Sequence, residues 1–220
     1  MFAAKSFASL ALASSLLAWA QPALAGPVDL TTGKAITSTG VFGQLSAGGV
    51  AFPWCPDATC PAADLTTVND GVYLASGTAW QQGTVWWDAH NSLSASNTME
   101  IEFGGLFNVD FVSIQGDNND EYLLELRNAG GTWFSWVYAN SCCSAGMFER
   151  SGSLAPAEAT AVRISARAGD GYYALSEVRL TGSAVIPEPA SLALVGLALA
   201  GMLGAGRSRK GLRNQASRQG

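Results

Sequence analysis

Hydrophobic and polar residues alternate in short runs through the middle of the chain. The clearest run is 99–103, where two glutamates separate three apolar side chains ahead of Gly104-Gly105. A two-residue period predicts a β-strand with one buried face. Turn residues recur about every 8–14 residues, and no long helical period intervenes, so the pattern predicts an all-β sandwich or barrel. The further predicted strands are 109–115, 121–128, 132–139, 160–166 and 174–180.

The first 25 residues have the pattern of a secretory signal peptide. Lys5 supplies a positive charge, and residues 7–20 form an apolar segment of the usual length. Ala23-Leu24-Ala25 fits the small-residue rule for cleavage, which predicts that the mature chain begins at Gly26. The alternative is a membrane anchor or a buried helix, but the segment is too short to span a bilayer.

A second apolar segment lies near the C-terminus. Residues 190–206 contain no charged side chain and are followed by basic residues within 207–210. At 1.5 Å per residue the segment reaches about 25 Å, the short end of what spans a bilayer. It predicts a transmembrane helix, and the positive-inside rule places the basic tail 211–220 in the cytoplasm and the preceding domain outside.

The residues ahead of this helix carry the motif Pro187-Glu188-Pro189. Together with the helix and the basic cluster, segment 184–210 resembles a PEP-CTERM sorting signal. The resemblance implies export by the secretion machinery of a Gram-negative bacterium that makes exopolysaccharide, with an exosortase cutting near the motif. It places the protein first in the inner membrane, facing the periplasm, and then at the cell surface or in the extracellular matrix.

Charge is distributed unevenly along the chain. Charged residues make up only 13% of the sequence, and the formal net charge is -5. Segment 26–185 holds 16 acidic against 6 basic residues, a net charge of -10. This acidic middle argues against nucleic acid as a partner, because phosphate binding needs a positive surface.

A second set of motifs follows in a fixed order along the middle of the chain. After Asp70-Gly71 and a tryptophan-rich loop come segments 101–105, 109–115, 131–133, 161–164 and 175–182. This order resembles the galactose-binding-like, or discoidin-type, β-sandwich, which is a jelly roll. The resemblance implies one sandwich domain over 64–183. Residues 26–63 then form an N-terminal extension, either outside the sandwich or adding a strand and loop.

The same resemblance implies a calcium site. Domains of this class commonly hold structural calcium between an early loop aspartate and a late glutamate, which correspond here to Asp70 and Glu177. Calcium takes six to eight oxygen ligands, so loop carbonyls and the hydroxyl of Thr78 or Thr84 would complete the site. The alternative is that Asp70-Gly71 is only a turn and Glu177 only a charge near a strand end.

Tryptophans and a polar loop form the candidate ligand-binding set. Sugar rings stack on exposed indoles, for which Trp80, Trp86 and Trp87 are the candidates, while Asn119 and Asp120 would orient the hydroxyls. Adjacent Trp86 and Trp87 would point to opposite faces of a strand. The alternatives are core packing for the indoles and a solvated turn for the polar loop.

An even number of cysteines in an exported chain predicts disulfides among Cys55, Cys60, Cys142 and Cys143. Three connectivities are open. A bond between neighbours is disfavoured, because adjacent Cα atoms lie about 3.8 Å apart and disulfides prefer at least about 4.4 Å. Pairing of Cys142 and Cys143 with Cys55 and Cys60 is therefore favoured, and a four-thiolate zinc site is the alternative.

Signals for catalysis are weak. His90 is the only histidine, and no Gly-x-Ser-x-Gly elbow, phosphate loop or dinucleotide motif accompanies it. The two terminal segments predict an exported protein, and the galactose-binding-like resemblance implies that it binds exopolysaccharide or another glycan without catalysis. The alternatives are a structural surface protein without a small ligand and a glycan-active hydrolase.

Overall fold

A computed structural model describes residues 26–45, 62–90, 96–185 and 196. The chain divides into two units, and the first ends at Ala184. Within its described residues this first unit is built of eight β-strands and one short 3-10 helix, Leu65–Asn69, which confirms the all-β prediction. The strands are β1 (Val28–Asp29), β2 (Ile36–Thr39), β3 (Val85–Asp88), β4 (Thr98–Asp117), β5 (Glu121–Arg127), β6 (Trp133–Ala139), β7 (Met147–Ala168) and β8 (Tyr172–Ala184).

Two long strands, β4 and β7, organise the sheet. The antiparallel order is β1-β8-β4-β7-β5-β6, and β2 and β3 pair with β4 and β8 respectively. The second half of β4 lies between β8 and the first half of β7, whereas β5 pairs with the second half of β7. Side chains from both halves of the sheet meet in one buried core, so the sheet folds over on itself as a sandwich.

The fold-over occurs at irregularities in the long strands. The β4–β7 register shifts between Glu102 and Phe107, and again between Val109 and Phe111. The prediction that a strand ends at Gly104-Gly105 is therefore wrong, because the pair forms a bulge within β4, with Gly104 at a φ of 83°. Pro156 of β7 lies opposite the second shift, where its missing N–H costs no ladder hydrogen bond.

Aromatic side chains occupy the centre of the core. Trp87 stacks on Tyr173 at a ring distance of 5.5 Å and meets Tyr122 and Phe42 edge-on. Around these rings pack aliphatic side chains from β3, β4, β5, β7 and β8. They include Val85, Ile101, Ile114, Leu124, Leu126, Val162, Ile164, Leu175, Val178 and Leu180.

The first half of β7 and the strand β3 were not among the predicted strands, and for β1 and β2 the sequence left open whether residues 26–63 add a strand to the sandwich. Segment 147–159 is rich in Ser, Gly, Ala and Pro and shows no strong alternation, yet it pairs with β4 along its length. β1 and β2 bring part of the predicted N-terminal extension into the sheet, because Val28 pairs with Gly182 and Ile36 with Ile101.

Several predicted features lie outside the described residues. These are the signal peptide 1–25, the motif Pro187-Glu188-Pro189, the segment 190–206 apart from Gly196, and the tail 211–220. In the parts of the chain that the structure does describe, no helix has the length and apolar character needed to cross a membrane.

Candidate functional site

Six strands, β3 to β8, begin or end at the same side of the sandwich. The antiparallel pairing sets Asp88 opposite Tyr172, Asp117 opposite Met147, and the start of β5 opposite the ends of β6 and β7. The turn before β3 joins them, because the N–H of Met147 donates to the carbonyl of Thr78 and the N–H of Gly77 donates to the carbonyl of Met147. We call this end the turn face. It comprises residues 75–80, 88–90, 117–121, 140–147 and 169–172.

Three rings form a row across the turn face. Trp80 stacks on Tyr172 at a centroid distance of 5.9 Å and an angle of 27°. Tyr172 lies 5.2 Å from the imidazole of His90. Beneath the row, Trp80 packs edge-on against the buried Trp86. Trp80 and Tyr172 are half-buried and His90 is exposed, so this aromatic row borders solvent.

A buried carboxylate fixes the orientation of His90. Asp88 is fully buried, and its Oδ1 lies 2.8 Å from Nδ1 of the imidazole. The same oxygen accepts the backbone N–H of His90. A Cβ at Gly171 would collide with the imidazole, so glycine at that position leaves room for the ring.

A polar bridge ties two of the turns together. Nδ2 of Asn119 donates to Oδ2 of Asp170 at 2.7 Å. The other carboxylate oxygen of Asp170 accepts the backbone N–H of Tyr172 at 2.9 Å. Asn119 and Asp170 are both exposed. Polar side chains with spare hydrogen-bonding capacity are therefore held next to the aromatic row.

Two aspartates are buried behind this bridge. Asp117 and Asp120 are 3% and 0% exposed. Burial raises the pKa of Asp117 to about 6, with the charge of Asp170 adding to it and the N–H of Asn118 opposing it. Burial, followed by the charges of Asp117 and Asp170, raises the pKa of Asp120 to about 8. The hydroxyl of Tyr122 and the N–H of Asp170 oppose this rise, although no donor among the described residues lies within normal hydrogen-bond distance of Asp120 Oδ1.

Arg150 joins the turns through backbone carbonyls. Its guanidinium donates to the carbonyls of Gly116 and Asp120 at 2.9 and 3.0 Å, and also to those of Asp117 and Asn140. Beside it a cavity of about 350 Å³ opens between β6 and the first half of β7. Aliphatic side chains of β4, β5, β6 and β7 line much of this cavity.

The structure corrects the predicted cysteine pairing. Cys142 is bonded to Cys143 within the turn 140–147, whereas the sequence favoured bonds from each to Cys55 or Cys60. The backbone accommodates the bond by placing Cys143 in the left-handed region, at a φ of 73°. The N–H of Cys142 donates to the carbonyl of Asn118 at 2.7 Å. Cys55 and Cys60 lie outside the described residues.

The predicted ligand-binding residues divide into two groups. Trp80, Asn119 and Asp120 all lie on the turn face. Trp86 and Trp87 do not present their rings to a ligand, because they are 0% and 1% exposed, and the prediction that they stack on sugar is wrong. Their side chains fall in separate buried clusters on opposite faces of β3, and each face is covered by other elements.

Sequence reasoning missed Tyr172, His90 and Asp170 as parts of one site. The available signal is the turn Gly169-Asp170-Gly171, in which glycines flank an aspartate directly before an aromatic residue. Such a turn sits where a strand begins and exposes its polar residue. Nothing in the spacing shows that it meets Trp80, which is distant in sequence.

Asp70 and Glu177, two of the predicted calcium residues, lie near each other, with Glu177 on β8 and Asp70 in the loop that contacts it. Glu177 is fully buried, and its Oε2 accepts the N–H of Gly71 at 3.0 Å, while no described residue donates a hydrogen bond to Oε1. Burial, together with the charges of Asp70 and Asp29, raises the pKa of Glu177 to about 7. The hydrogen bond from the N–H of Gly71 lowers this pKa and so opposes part of the rise. An unpaired buried carboxylate oxygen beside a second carboxylate fits a hard cation whose remaining ligands are carbonyls.

Other observations limit this calcium site. Thr78 is not part of it, because its hydroxyl donates to the carbonyl of Ala75 and its backbone contacts Met147 on the turn face. Thr84 donates its hydroxyl to the carbonyl of Trp80. Across the described residues, no group of three or more His, Cys, Asp or Glu side chains is placed to hold a metal.

Residues 185–210 match the PEP-CTERM protein-sorting motif. The motif indicates an exported protein that is sorted at the membrane. No curated protein matches the chain.

The β-sandwich is similar to several solved structures of sugar complexes and binding modules. One is the family 32 CBM from C. perfringens NanJ in complex with galactose, with 13% identity, a TM-score of 0.48, and coverage of 71% of this chain and 99% of that chain. A Streptococcus pneumoniae fucose binding module has 12% identity and a TM-score of 0.45, covering 70% and 96%. The lectin domain of lectinolysin, complexed with Lewis B antigen, has 12% identity and a TM-score of 0.46, covering 70% and 95%.

Proposed function

We propose that the turn face binds glycans and that the protein acts as a non-catalytic binding module outside the cytoplasm. The observation that carries the proposal is the aromatic row of Trp80, Tyr172 and His90, set beside polar side chains that are already fixed by hydrogen bonds. A sugar ring has an apolar face that packs on aromatic rings and hydroxyls that need donors and acceptors at its edge.

Each residue has a distinct role in this proposal. The rings of Trp80 and Tyr172 supply the stacking surface. Asp170 uses one lone pair on each oxygen within the protein, so its carboxylate can still accept hydroxyl groups, and Asn119 keeps its carbonyl and one N–H. Nε2 of His90 is oriented by Asp88. A site fixed before binding loses little entropy when the ligand arrives.

Binding is favoured over hydrolysis by the position of the carboxyl groups. Hydrolysis of a glycosidic bond commonly needs two carboxyl groups facing the same cleft. On the turn face Asp88, Asp117 and Asp120 are buried, and Asp88 is already bonded to His90. Asp170 is exposed but bonded to Asn119 and to the backbone.

A glycan array tests the proposal, with Trp133 as a matched control. Trp133 lies away from the turn face, where the guanidinium groups of Arg127 and Arg163 pack against its ring. We expect Trp80→Ala and Tyr172→Ala each to weaken glycan binding about tenfold or more, because each removes a stacking surface. Trp133→Ala should bind like wild type. Equal binding by all four proteins, or no binding to any glycan, would overturn the proposal.

We propose that an exosortase processes the segment 185–210, and that the mature protein binds exopolysaccharide at the cell surface or in the extracellular matrix. The sorting motif and the predicted signal peptide 1–25 support this route. Mass spectrometry of the protein isolated from its host tests it. Termini near Gly26 and near Pro187-Glu188-Pro189 are expected, and an intact C-terminus in the extracellular fraction would contradict processing.

We propose that calcium binds at Asp70 and Glu177 in a structural role. The unpaired Oε1 of Glu177 supports this assignment, because a buried carboxylate oxygen without a partner is costly. Calcium would supply a positive charge between the two carboxylates, and carbonyl groups of the adjacent loop would complete its shell. The site would then fasten the loop at Gly71 to β8.

A further inference from the structure

The cavity beside Arg150 lies between two strands that each form the edge of a sheet layer. Among the described residues, β6 pairs with β5 alone, and the first half of β7 pairs with β4 alone. The cavity of about 350 Å³ opens between these two strands, and we call it the edge slot. Its lining consists of Val112, Ile114, Leu124, residues 137–142, residues 150–152 and Leu154. The edge slot therefore follows both edge strands lengthwise.

Gly152 gives the edge slot its room. Arg150 and Leu154 line the slot, and the alternation of a β-strand places position 152 between them on the same face of β7. A Cβ built at Gly152 would meet no atom within 4 Å. Any larger residue at this position would therefore fill part of the edge slot without a clash of its first carbon.

The backbone at Gly152 does not require glycine. Its φ lies outside the left-handed region, in contrast to Gly104 in the bulge of β4. It pairs in register with Val112, beyond the shift between Val109 and Phe111. A glycine inside a strand weakens the strand and often marks a place where a ligand approaches closely. The position of Gly152 therefore points to a ligand in the edge slot.

The surface around Gly152 is largely apolar. Val112, Ile114 and Leu124 belong to the buried core, so the edge slot reaches down to that core. Val137 and Leu154 pack against the same core from its two sides. From residue 150 to residue 154 a strand extends about 13 Å, so the apolar surface is elongated. A straight hydrocarbon chain that lies here moves its surface from water to an apolar surface.

The polar groups of the lining suit an uncharged head group. Among the lining residues Arg150 alone carries a charge, and its two terminal nitrogens donate to four backbone carbonyls. The remaining nitrogen, Nε, is buried. An anionic group would therefore find no free guanidinium donor here. Asn140, Ser141 and Ser151 are exposed in the same part of the lining and can bond to a hydroxyl group.

We propose that the edge slot binds the alkyl chain of an uncharged, hydroxyl-bearing amphiphile, with the hydroxyl group at Asn140, Ser141 and Ser151. The edge slot shares no residue with the aromatic row, so the proposal does not rest on glycan binding at that row. Arg150 fixes the polar end of the slot before the ligand arrives, because it donates to the carbonyls of both Asp120 and Asn140.

Calorimetry with straight-chain alkanols from butanol to decanol tests the proposal. We expect the affinity to rise about two- to fourfold with each added methylene group and to level off once the slot is full. Octanoate has an apolar chain of similar length to octanol but carries a charge, so it should bind about tenfold more weakly than octanol.

Position 152 supplies the blocking variants, and position 153 supplies the control. Gly152→Leu fills the edge slot and should weaken octanol binding by more than about tenfold. Gly152→Ala adds one methyl group and should weaken it severalfold. Ser153→Leu places the larger side chain on the opposite, exposed face of β7 and should bind octanol like wild type. Tryptophan fluorescence spectra that match wild type check that all three variants are folded.

Urea denaturation provides a second measurement of the same site. Without ligand, Gly152→Ala and Gly152→Leu should raise the urea midpoint, because each fills apolar space and restricts the unfolded chain. Octanol should raise the midpoint of wild type and of Ser153→Leu but not of Gly152→Leu, since only a protein that binds the ligand is stabilised by it.

Four results would overturn the proposal. These are an affinity that does not depend on chain length, octanoate binding tighter than octanol, equal octanol binding by wild type and both Gly152 variants, and a lower urea midpoint for Gly152→Ala. The last result would mean that other residues of the chain fill the edge slot. Analytical ultracentrifugation tests a further occupant: a wild-type dimer that Gly152→Leu converts to a monomer would assign the slot to a second copy and likewise overturn the proposal.

Discussion

Replacing Asp120 with asparagine should remove a large part of the protein's pH sensitivity. The pKa of Asp120 is about 8 in the folded protein, against 3.8 as its ordinary value. The folded state therefore holds a proton that the unfolded state has already released across this pH range. Stability conferred by that proton is fully present near pH 4 and is lost as pH rises toward 8.

The size of this effect follows from linkage. While the folded protein keeps a proton that the unfolded chain lacks, the free energy of unfolding falls by about 1.4 kcal/mol for each pH unit. Because half of this proton is lost by pH 8, the loss from Asp120 between pH 6 and pH 8 is about 2 kcal/mol. Asp117, with a pKa of about 6, contributes mainly below this range.

Urea denaturation followed by tryptophan fluorescence measures the effect at pH 6, 7 and 8. Wild type should lose stability steeply across the range, and Asp120→Asn should lose about 2 kcal/mol less. Any slope from Glu177 is common to both proteins and cancels in the difference. Glu158→Gln serves as the control for removing an exposed carboxylate. Parallel slopes for wild type and Asp120→Asn would refute the reasoning.

The core, the cysteine bond and the calcium site give three further predictions. Trp87→Ala should lower the free energy of unfolding by about 3–5 kcal/mol, because it empties the space between packed rings; a loss under about 1 kcal/mol in denaturant melts would contradict this packing. Calcium should raise the Tm of wild type but not of Glu177→Gln, with about 2–3 kcal/mol of stabilisation at a hundredfold excess over Kd; equal shifts in calorimetry would exclude the site. Non-reducing peptide mapping should find Cys142 and Cys143 joined within the tryptic peptide 128–150, and a crosslink from that peptide to another cysteine peptide would exclude the bond.

The strands that sequence predicted well are those whose alternation reflects one buried face. Segment 121–128 is an example, since Tyr122, Leu124 and Leu126 point into the core and the observed strand is Glu121–Arg127. The first half of β7 lacks such a pattern, because its many small and polar residues bury little surface. It is held by its ladder of hydrogen bonds to β4, and such backbone pairing does not require alternating hydrophobic and polar residues in the sequence.

The candidate site also contains residues that the sequence could predict and contacts that it could not. Trp80, Asn119 and Asp120 could be selected from residue type and turn context alone. The contact of Trp80 with Tyr172 could not, because only the pairing of β3 with β8 brings their turns together. Alternation placed Trp86 and Trp87 on opposite faces, but sequence did not show that Leu45 and Met147 cover the second face.

The pairing of β1 with β8 has a consequence for export. Val28 lies near the start of the mature chain predicted from the sequence, and its partner Gly182 lies just before the sorting motif. Since these contacts join the two ends of the sandwich in sequence, β1 can pair with β8 only when the chain has been synthesised as far as Gly182. Structures dominated by such distant contacts form slowly. The pairing of β1 with β8 therefore comes late in the synthesis of the sandwich, directly before the sorting motif at 185–210 follows in the chain.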